Sequence, residues 1–184
     1  MKARMIIGIA LLLGGCGSVP PQYFTLAFVA GTAQRTAPLA IELRRVGLAA
    51  YLDRAEIVRS PSAYRLEVSD SDRWAEPLGR MLERVFAEDL VQRLPAASVF
   101  AESGAIATEA DRVVELDVQR LDTASDGAVV LVAQIAVRRE GRRRPTVARI
   151  VRLQAAATPG LPAAATISGL VGQLADEAAR LIGG

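Results

Sequence analysis

The first sixteen residues constrain this chain more than any other segment. They begin with a basic Met-Lys-Ala-Arg stretch, continue as an apolar run from Met5 to Leu13, and reach the single cysteine, Cys16, after two glycines. A basic start, a short apolar segment and small residues are the parts of a secretory signal. The nine-residue run is too short to cross a bilayer as a helix. We therefore expect cleavage before Cys16.

The residues at the expected cleavage site, Leu13 to Cys16, resemble the lipobox of bacterial lipoproteins. In such proteins the cysteine thiol is acylated and becomes the new N-terminus, whereas the alternative is a buried cysteine near the chain start. Because each buried CH₂ contributes about 0.8 kcal/mol, two or three acyl chains would form a permanent anchor. Gly17 follows the cysteine, where an aspartate would resemble the inner-membrane retention signal. The resemblance therefore favours the outer membrane, with the body facing the periplasm.

Removal of residues 1–15, the signal peptide, would leave 169 of the 184 residues. We expect residues 16–21 to form a lipidated tether and residues 22–184 to form a single domain. Lys2, which is the only lysine, and Arg4 lie in the signal. The mature chain would thus carry 20 arginines against 20 acidic residues. This neutral balance argues against nucleic acid as a partner.

The residue types present exclude several classes of function. Cys16, once acylated, cannot form a disulfide, so apolar burial must supply the stability. The sequence has no histidine, which removes the commonest general base and metal ligand, and it has no Walker-type phosphate loop. We therefore expect no cofactor, no bound metal and no enzymatic activity. The alternative is a hydrolase using Asp70 and Asp72, which lie in Ser69-Asp70-Ser71-Asp72, a predicted solvated turn or N-cap.

Apolar patterning predicts strands that alternate with turns in several parts of the chain. The predicted strands are residues 22–28, 39–43, 64–68, 114–118, 128–138 and 146–154. Turn signals at Asp126-Gly127 and at residues 140–145 separate the last three strands. These three strands are therefore expected to form an antiparallel meander.

Apolar residues at helical spacing predict two amphipathic helices. The first runs from Trp74 to Leu94, with Pro77 in its first turn, and the second includes Ile167 to Leu181. We expect an α+β fold, in which a single, mainly antiparallel (mixed) β-sheet carries two amphipathic helices packed on one face.

Three segments of the sequence carry a family resemblance. They are Cys16-Gly17-Ser18 followed by Pro21 to Leu26, then Tyr-Leu-Asp-Arg-Ala-Glu-Ile-Val-Arg from Tyr51 to Arg59, and Arg-Trp-Ala-Glu-Pro-Leu from Arg73 to Leu78. In order and spacing they resemble the ABC-type transport auxiliary lipoproteins, the PqiC-like family. Beyond residue 95 only the pattern of strands and helices supports the resemblance.

The resemblance implies a partner, which is a periplasmic protein built of mammalian-cell-entry (MCE) domains. Such proteins, with inner-membrane components, move lipids between the two membranes. This chain would then be an outer-membrane-anchored accessory subunit that acts by binding and assembly in lipid trafficking and envelope integrity. The alternative is a free-standing structural envelope lipoprotein that is not coupled to transport. Phospholipid and a second copy of the chain are further candidate partners.

Five residues of the two central segments are candidate partner contacts: Tyr51, Leu52, Asp53, Arg54 and Arg73. An aromatic residue beside a charged pair in a loop has the composition of an interface anchor. A purely structural interpretation is also open. Tyr51 and Leu52 would then hold a loop onto the core, Asp53 would pair with Arg54, and Arg73 would make local hydrogen bonds.

The predicted turn near residue 140 has the densest cluster of positive charge. Its arginines are Arg138, Arg139, Arg142, Arg143 and Arg144. Guanidinium groups bind phosphate in a bidentate manner, so these residues are candidates for contact with phospholipid headgroups or an acidic partner. The alternative is a solvated turn that keeps one end of the sheet soluble.

Overall fold

The computed structural model describes residues 20–102, 104–105, 108–140 and 146–184. Within these ranges the chain forms a nine-stranded mixed sheet and two α-helices, which confirms the predicted α+β architecture. The strands are β1 (Gln22–Phe24), β2 (Ala40–Leu43), β3 (Gly47–Leu48), β4 (Glu56–Ser62), β5 (Arg65–Trp74), β6 (Ser98–Ala101), β7 (Arg112–Ala124), β8 (Ala128–Arg139) and β9 (Val147–Ala156). The helices are α1 (Leu78–Arg93) and α2 (Ala163–Gly183).

The long strand β7 organises the sheet. One of its edges pairs with β8, and β8 pairs with β9, both in antiparallel register, so the predicted meander is confirmed. Along its other edge β2, β3 and β4 lie one after another, all parallel to β7. Beyond β2 lies β6, and beyond β4 lie first the antiparallel β5 and then β1.

The helices cover one face of this sheet, as the amphipathic pattern predicts. Helix α2 packs on β7, β8 and β9, and α1 packs against α2 and β6. Fully buried side chains fill the space between them, including Met81, Val85 and Phe86 of α1, Leu170 and Leu174 of α2, and Leu131 and Ile135 of β8. Burying each such side chain contributes about 1.5–3 kcal/mol, which suits a chain without a disulfide.

The first helix begins later than the sequence pattern predicts. Trp74 is the last residue of β5, and α1 begins at Leu78, directly after Pro77. Pro77 therefore precedes the helix instead of lying in its first turn. Its carbonyl oxygen accepts the N–H groups of Arg80 and Met81 at 3.0 and 3.1 Å. A proline fits this position because no N–H is needed there.

The prediction of a turn or N-cap at Ser69 to Asp72 is wrong, because these residues continue β5. The register between β4 and β5 shifts opposite them, so the strand absorbs the polar segment as an irregularity in the pairing. Asp72 accepts hydrogen bonds from the Ser71 hydroxyl at 2.9 Å and from Arg59 at 3.4 Å. The polar side chains that suggested a turn therefore form hydrogen bonds within the strand and with its neighbour β4.

Residues 65–68 of the predicted strand form the start of β5, but the apolar side chains of the predicted strand do not pack in the core. Tyr64 is fully exposed at the β4–β5 turn, and Leu66 and Val68 are 49% and 41% exposed. Val68 pairs with Val58, which precedes Arg59 and follows the core residue Ile57. Because successive strand residues face opposite sides, this apolar row lies on the sheet face turned away from the helices.

The first strand is shorter than the predicted residues 22–28 and ends at Phe24. The chain then leaves the sheet and crosses the helices, where side chains satisfy its backbone. The N–H of Leu26 donates to the Met81 sulfur at 3.1 Å, and the N–H of Ala27 donates to the Ser168 hydroxyl at 3.1 Å. The segment after Phe24 therefore packs against the two helices instead of extending the sheet.

A buried ionic cluster fastens this crossing segment. Arg93 at the end of α1 is 2% exposed; its Nε donates to the Asp176 carboxylate, and its Nη1 donates to the Val29 carbonyl oxygen at 2.9 Å. Asp89 is fully buried and accepts the Val29 N–H at 2.7 Å. The cluster thus joins the N-terminal segment to both helices, and patterning did not predict it.

We expect Gly31→Ala to destabilise the protein, because a Cβ at position 31 would overlap the guanidinium carbon of Arg93. Arg93 is held by its partners and cannot give way freely, so the expected cost is about 1–3 kcal/mol. Gly169→Ala is the matched control. Gly169 lies on α2, and a Cβ at this position would meet no neighbouring atom within 4 Å. This helix substitution should stabilise by up to about 1 kcal/mol. Urea titrations of both variants test the contrast, and equal midpoints would contradict it.

Candidate functional site

The two central segments that carry the family resemblance meet at one place in the fold. The N–H of Trp74 donates to the Ala55 carbonyl oxygen at 2.7 Å. Beside this bond, Arg73 donates to the Glu56 carboxylate at 2.6 Å. The pair is about one third exposed, so it fastens β5 to β4 but remains accessible at the surface. Arg73 therefore lies at the candidate site, where its guanidinium is already paired with Glu56 of the same chain.

A cleft of about 330 Å³ opens beside this junction. It is lined by Asp53, Arg54, Ala55, Trp74, Glu76 and Pro77. A second cleft of about 310 Å³ adjoins it, and Asp53 and Pro77 line both. We call the two clefts together the motif groove. Residues from separate parts of the sequence thus line two neighbouring clefts that share Asp53 and Pro77.

Tyr51 and Leu52 hold the loop that forms one wall of the motif groove. They lie in a short 3₁₀ helix, residues 50–52. Leu52 is 2% exposed and belongs to the core, so the structure removes it from the candidate contact residues. The Tyr51 hydroxyl donates to the Asp122 carboxylate at 3.2 Å. Burial, followed by the negative charge of Asp122, raises the pKa of Tyr51.

Asp53 and Arg54 are both exposed, and within the part of the chain that the structure describes they form no ion pair with each other. The internal pairing that the sequence left open is therefore not seen. Two further arginines, Arg45 and Arg80, line the second cleft and are exposed. No ion pair in the described ranges involves the guanidinium of Arg45, Arg54 or Arg80.

Within the described residues, the motif groove therefore presents three guanidinium groups that form no ion pair. Each carries five N–H donors in a planar fork that matches a carboxylate. Among the acids that line the groove, Glu76 is already engaged by Arg84 at 2.7 Å. Sequence reasoning missed Arg45 and Arg80, because one follows a strand and the other lies on a polar helix face. Nothing in their local patterns links them to Arg54.

The arginine-rich turn is only partly within the described residues. Arg138 pairs with Glu140 at 2.7 Å, and Arg139 donates to the Gly184 carbonyl oxygen at 3.2 Å. Both arginines therefore have partners inside the chain. Arg142, Arg143 and Arg144 lie outside the described residues, as does Cys16. Contact of this turn with phospholipid or an acidic partner stays a prediction.

The carboxylates that suggested a hydrolase do not form an isolated dyad. Asp72 pairs with Arg59 at 3.4 Å, and both Asp70 and Asp72 lie within β5. Among the described residues, no group of three acidic, histidine or cysteine side chains is arranged to hold a metal ion. Neither helix in the same ranges is long and apolar enough to cross a membrane.

Comparison with known proteins decides the family. The model of the ABC-type transport auxiliary lipoprotein component matches residues 24–179, which include both walls of the motif groove. The chain belongs to this family. As one of these auxiliary lipoproteins it is a membrane-anchored protein and a component associated with a transport system. No curated protein sequence matches the chain.

Solved structures show that other proteins share the fold of this auxiliary lipoprotein. The crystal structure of an uncharacterized protein has 18% sequence identity and a TM-score of 0.74, and the similarity covers 89% of this chain and 99% of the other. Protein XCC0632 from Xanthomonas campestris has 17% identity and a TM-score of 0.62, with 88% and 93% covered.

Proposed function

We propose that this auxiliary lipoprotein is the outer-membrane-anchored accessory subunit of an MCE-type ABC lipid transport system. It acts by binding and assembly, without catalysis, in lipid movement between the membranes and in envelope integrity. The observation that carries the proposal is the motif groove, in which the two family segments lie beside arginines that form no ion pair in the described ranges. The groove is the surface to which the MCE-domain protein docks.

The chemistry of the motif groove favours a protein partner with exposed carboxylates. Arg45, Arg54 and Arg80 place three positive charges around two shallow clefts, whose lining also includes the acids Asp53, Glu76 and Glu83. Charge complementarity of this kind steers association and fixes orientation. Trp74 and Pro77 supply apolar walls, so a carboxylate flanked by an apolar side chain would fill the groove.

The anchor of the proposed subunit is Cys16. Cys16→Ser should leave no acylation site, so we expect loss of labelled palmitate and persistence of the uncleaved precursor. Membrane fractions labelled with radioactive palmitate and probed for precursor size test this. Label retained on the serine variant would contradict the anchor, because no second cysteine exists in the sequence.

Docking through the motif groove predicts that Arg54→Ala weakens association with the MCE-domain protein. Loss of a central arginine contact costs on the order of 2 kcal/mol, which is roughly a thirty-fold weaker Kd. Tyr51→Ala should have a smaller effect, since Tyr51 positions the loop. Co-purification from solubilised envelopes measures association, and circular-dichroism melts of the same variants measure folding.

The control for Arg54→Ala is Arg152→Ala. Arg152 is also exposed and forms no ion pair in the described ranges, but it lies on β9, on the opposite side of β7 from β4. We expect normal co-purification for this variant. Equal loss of binding in both variants would indicate a general charge effect. Loss of stability with normal binding per folded molecule in Arg54→Ala would exclude the groove as the docking surface.

A further inference from the structure

We propose that the tip of the β4–β5 hairpin, together with the segment before α2, forms a second contact with the lipid bilayer beside the acyl anchor. The hairpin turns at Ala63 and Tyr64, and Leu161 lies two residues before α2 begins. We call these residues, with Leu66, the bilayer tip. The inference rests on acylation of Cys16 and is independent of the transport partner.

The side chains of the bilayer tip are unusually exposed for apolar residues. Tyr64 is fully exposed, Leu161 is 57% exposed and Leu66 is 49% exposed. Leu161 and Pro61 of the hairpin line the same cavity, of about 520 Å³, so the segment before α2 lies beside the hairpin. Exposed apolar residues that cluster at one end of a molecule mark a contact with a partner or a membrane.

The direction of β1 indicates on which side of the domain the chain before it begins. Strand β1 runs parallel to β5, and Gln22 is level with Asp72. The chain therefore reaches Gln22 from the direction of the hairpin. Cys16 lies six positions before Gln22, and Leu66 lies six positions before Asp72. At about 3.3 Å per residue both stretches reach roughly 20 Å.

The anchor is therefore able to lie level with the bilayer tip but not far beyond it. Pro20 and Pro21 favour an extended backbone directly before β1 and so favour this reach. The motif groove lies at the other end of β5, roughly 30 Å away at the rise of a strand. With the tip at the lipid surface, the groove would point into the periplasm, where a soluble partner can reach it.

The occupant of the bilayer tip is the phospholipid surface that holds the acyl chains. Tyrosine is enriched at membrane interfaces because its ring is apolar and its hydroxyl is hydrated. The adjacent charges are balanced, since Arg65 pairs with Glu67 at 2.8 Å. The contact therefore depends on shallow apolar insertion and not on attraction to anionic lipid.

Fluorescence quenching in reconstituted vesicles tests the bilayer tip. The full lipoprotein carrying Tyr64→Trp is placed in vesicles of phosphatidylethanolamine and phosphatidylglycerol, part of which is brominated near the top of the acyl chains. Tyr23→Trp is the matched control, because Tyr23 is 65% exposed but lies beside Arg73 at the groove end. The natural Trp74 is buried and contributes the same background fluorescence in both proteins.

We expect the brominated lipid to remove most of the fluorescence added by Tyr64→Trp and little of that added by Tyr23→Trp. Leu161→Asp in the Tyr64→Trp protein should reduce the quenching. Equal quenching at both positions would overturn the proposal. Protection of the Tyr64→Trp indole from aqueous iodide without lipid quenching would assign the tip to a protein contact, and this would also overturn it. Palmitate labelling of the same sample establishes the anchor separately.

Discussion

Replacing Trp74 by alanine should lower the free energy of unfolding by about 3–5 kcal/mol, because truncation of a buried aromatic side chain removes a large apolar contact area. Trp74 is 6% exposed and packs in the core at the end of β5, where it pairs with Phe24 of β1. Its loss would loosen the junction of β1, β4 and β5. Thermal and urea melts of the domain measure the effect.

Tyr64→Ala is the control for this substitution, since it also removes an aromatic ring, but from a fully exposed position. A surface change of this kind should alter stability by less than about 0.5 kcal/mol. The expected order is therefore a large loss for Trp74→Ala and almost none for Tyr64→Ala. An unchanged midpoint for Trp74→Ala with lost partner binding would instead make Trp74 an interface residue of the motif groove.

Replacing Arg93 by methionine should have an effect of similar size. The guanidinium lies 3.7 Å from the buried Asp89 carboxylate and also binds Asp176 and the Val29 carbonyl oxygen. Removing one member of a buried ion pair leaves an uncompensated charge and typically costs about 3–5 kcal/mol. Methionine keeps much of the apolar volume, so the loss would report the charge and its hydrogen bonds.

The effect of Arg93→Met should depend on pH in a definite direction. Burial raises the pKa of Asp89 from 3.8 to about 6, although the Val29 N–H and Arg93 oppose the shift. Because the folded state binds this proton more tightly, the carboxyl lowers stability as the pH rises from about 4 to 6. Without Arg93 the pKa of Asp89 rises further. The variant therefore continues to lose stability at pH values above 6, where the wild-type protein no longer does. Melts should show a larger cost at pH 8 than at pH 5, and a cost independent of pH would contradict this account.

The sequence predicts the parts of this fold that have strong local periodicity. The meander β7–β8–β9 follows from alternating residues and the Asp126-Gly127 turn, and α2 follows from its apolar spacing. The strands β3, β4 and β6 were not predicted because they are short or irregular. Their pairing depends on the edge of β7 and on neighbouring strands, which are distant contacts that a local pattern does not contain.

The candidate site was predictable only in part. The segments around Tyr51 and Trp74 stand out in the sequence, but their meeting depends on the parallel pairing of β4 with β7 and the bulged pairing of β4 with β5. Leu52 looked like part of a recognition loop and lies in the core, because a 3₁₀ turn directs it inward. Arg45 and Arg80 join the site through tertiary contacts alone.

Affinity purification of the tagged lipoprotein from detergent-solubilised envelopes, with mass spectrometry of the proteins that accompany it, tests whether an MCE-domain protein binds the motif groove. We expect an MCE-domain protein as the main partner of the wild-type chain and of Arg152→Ala, and its loss from Arg54→Ala. Recovery of the folded lipoprotein alone, or with envelope proteins unrelated to transport, would contradict the proposed function and favour a free-standing structural lipoprotein.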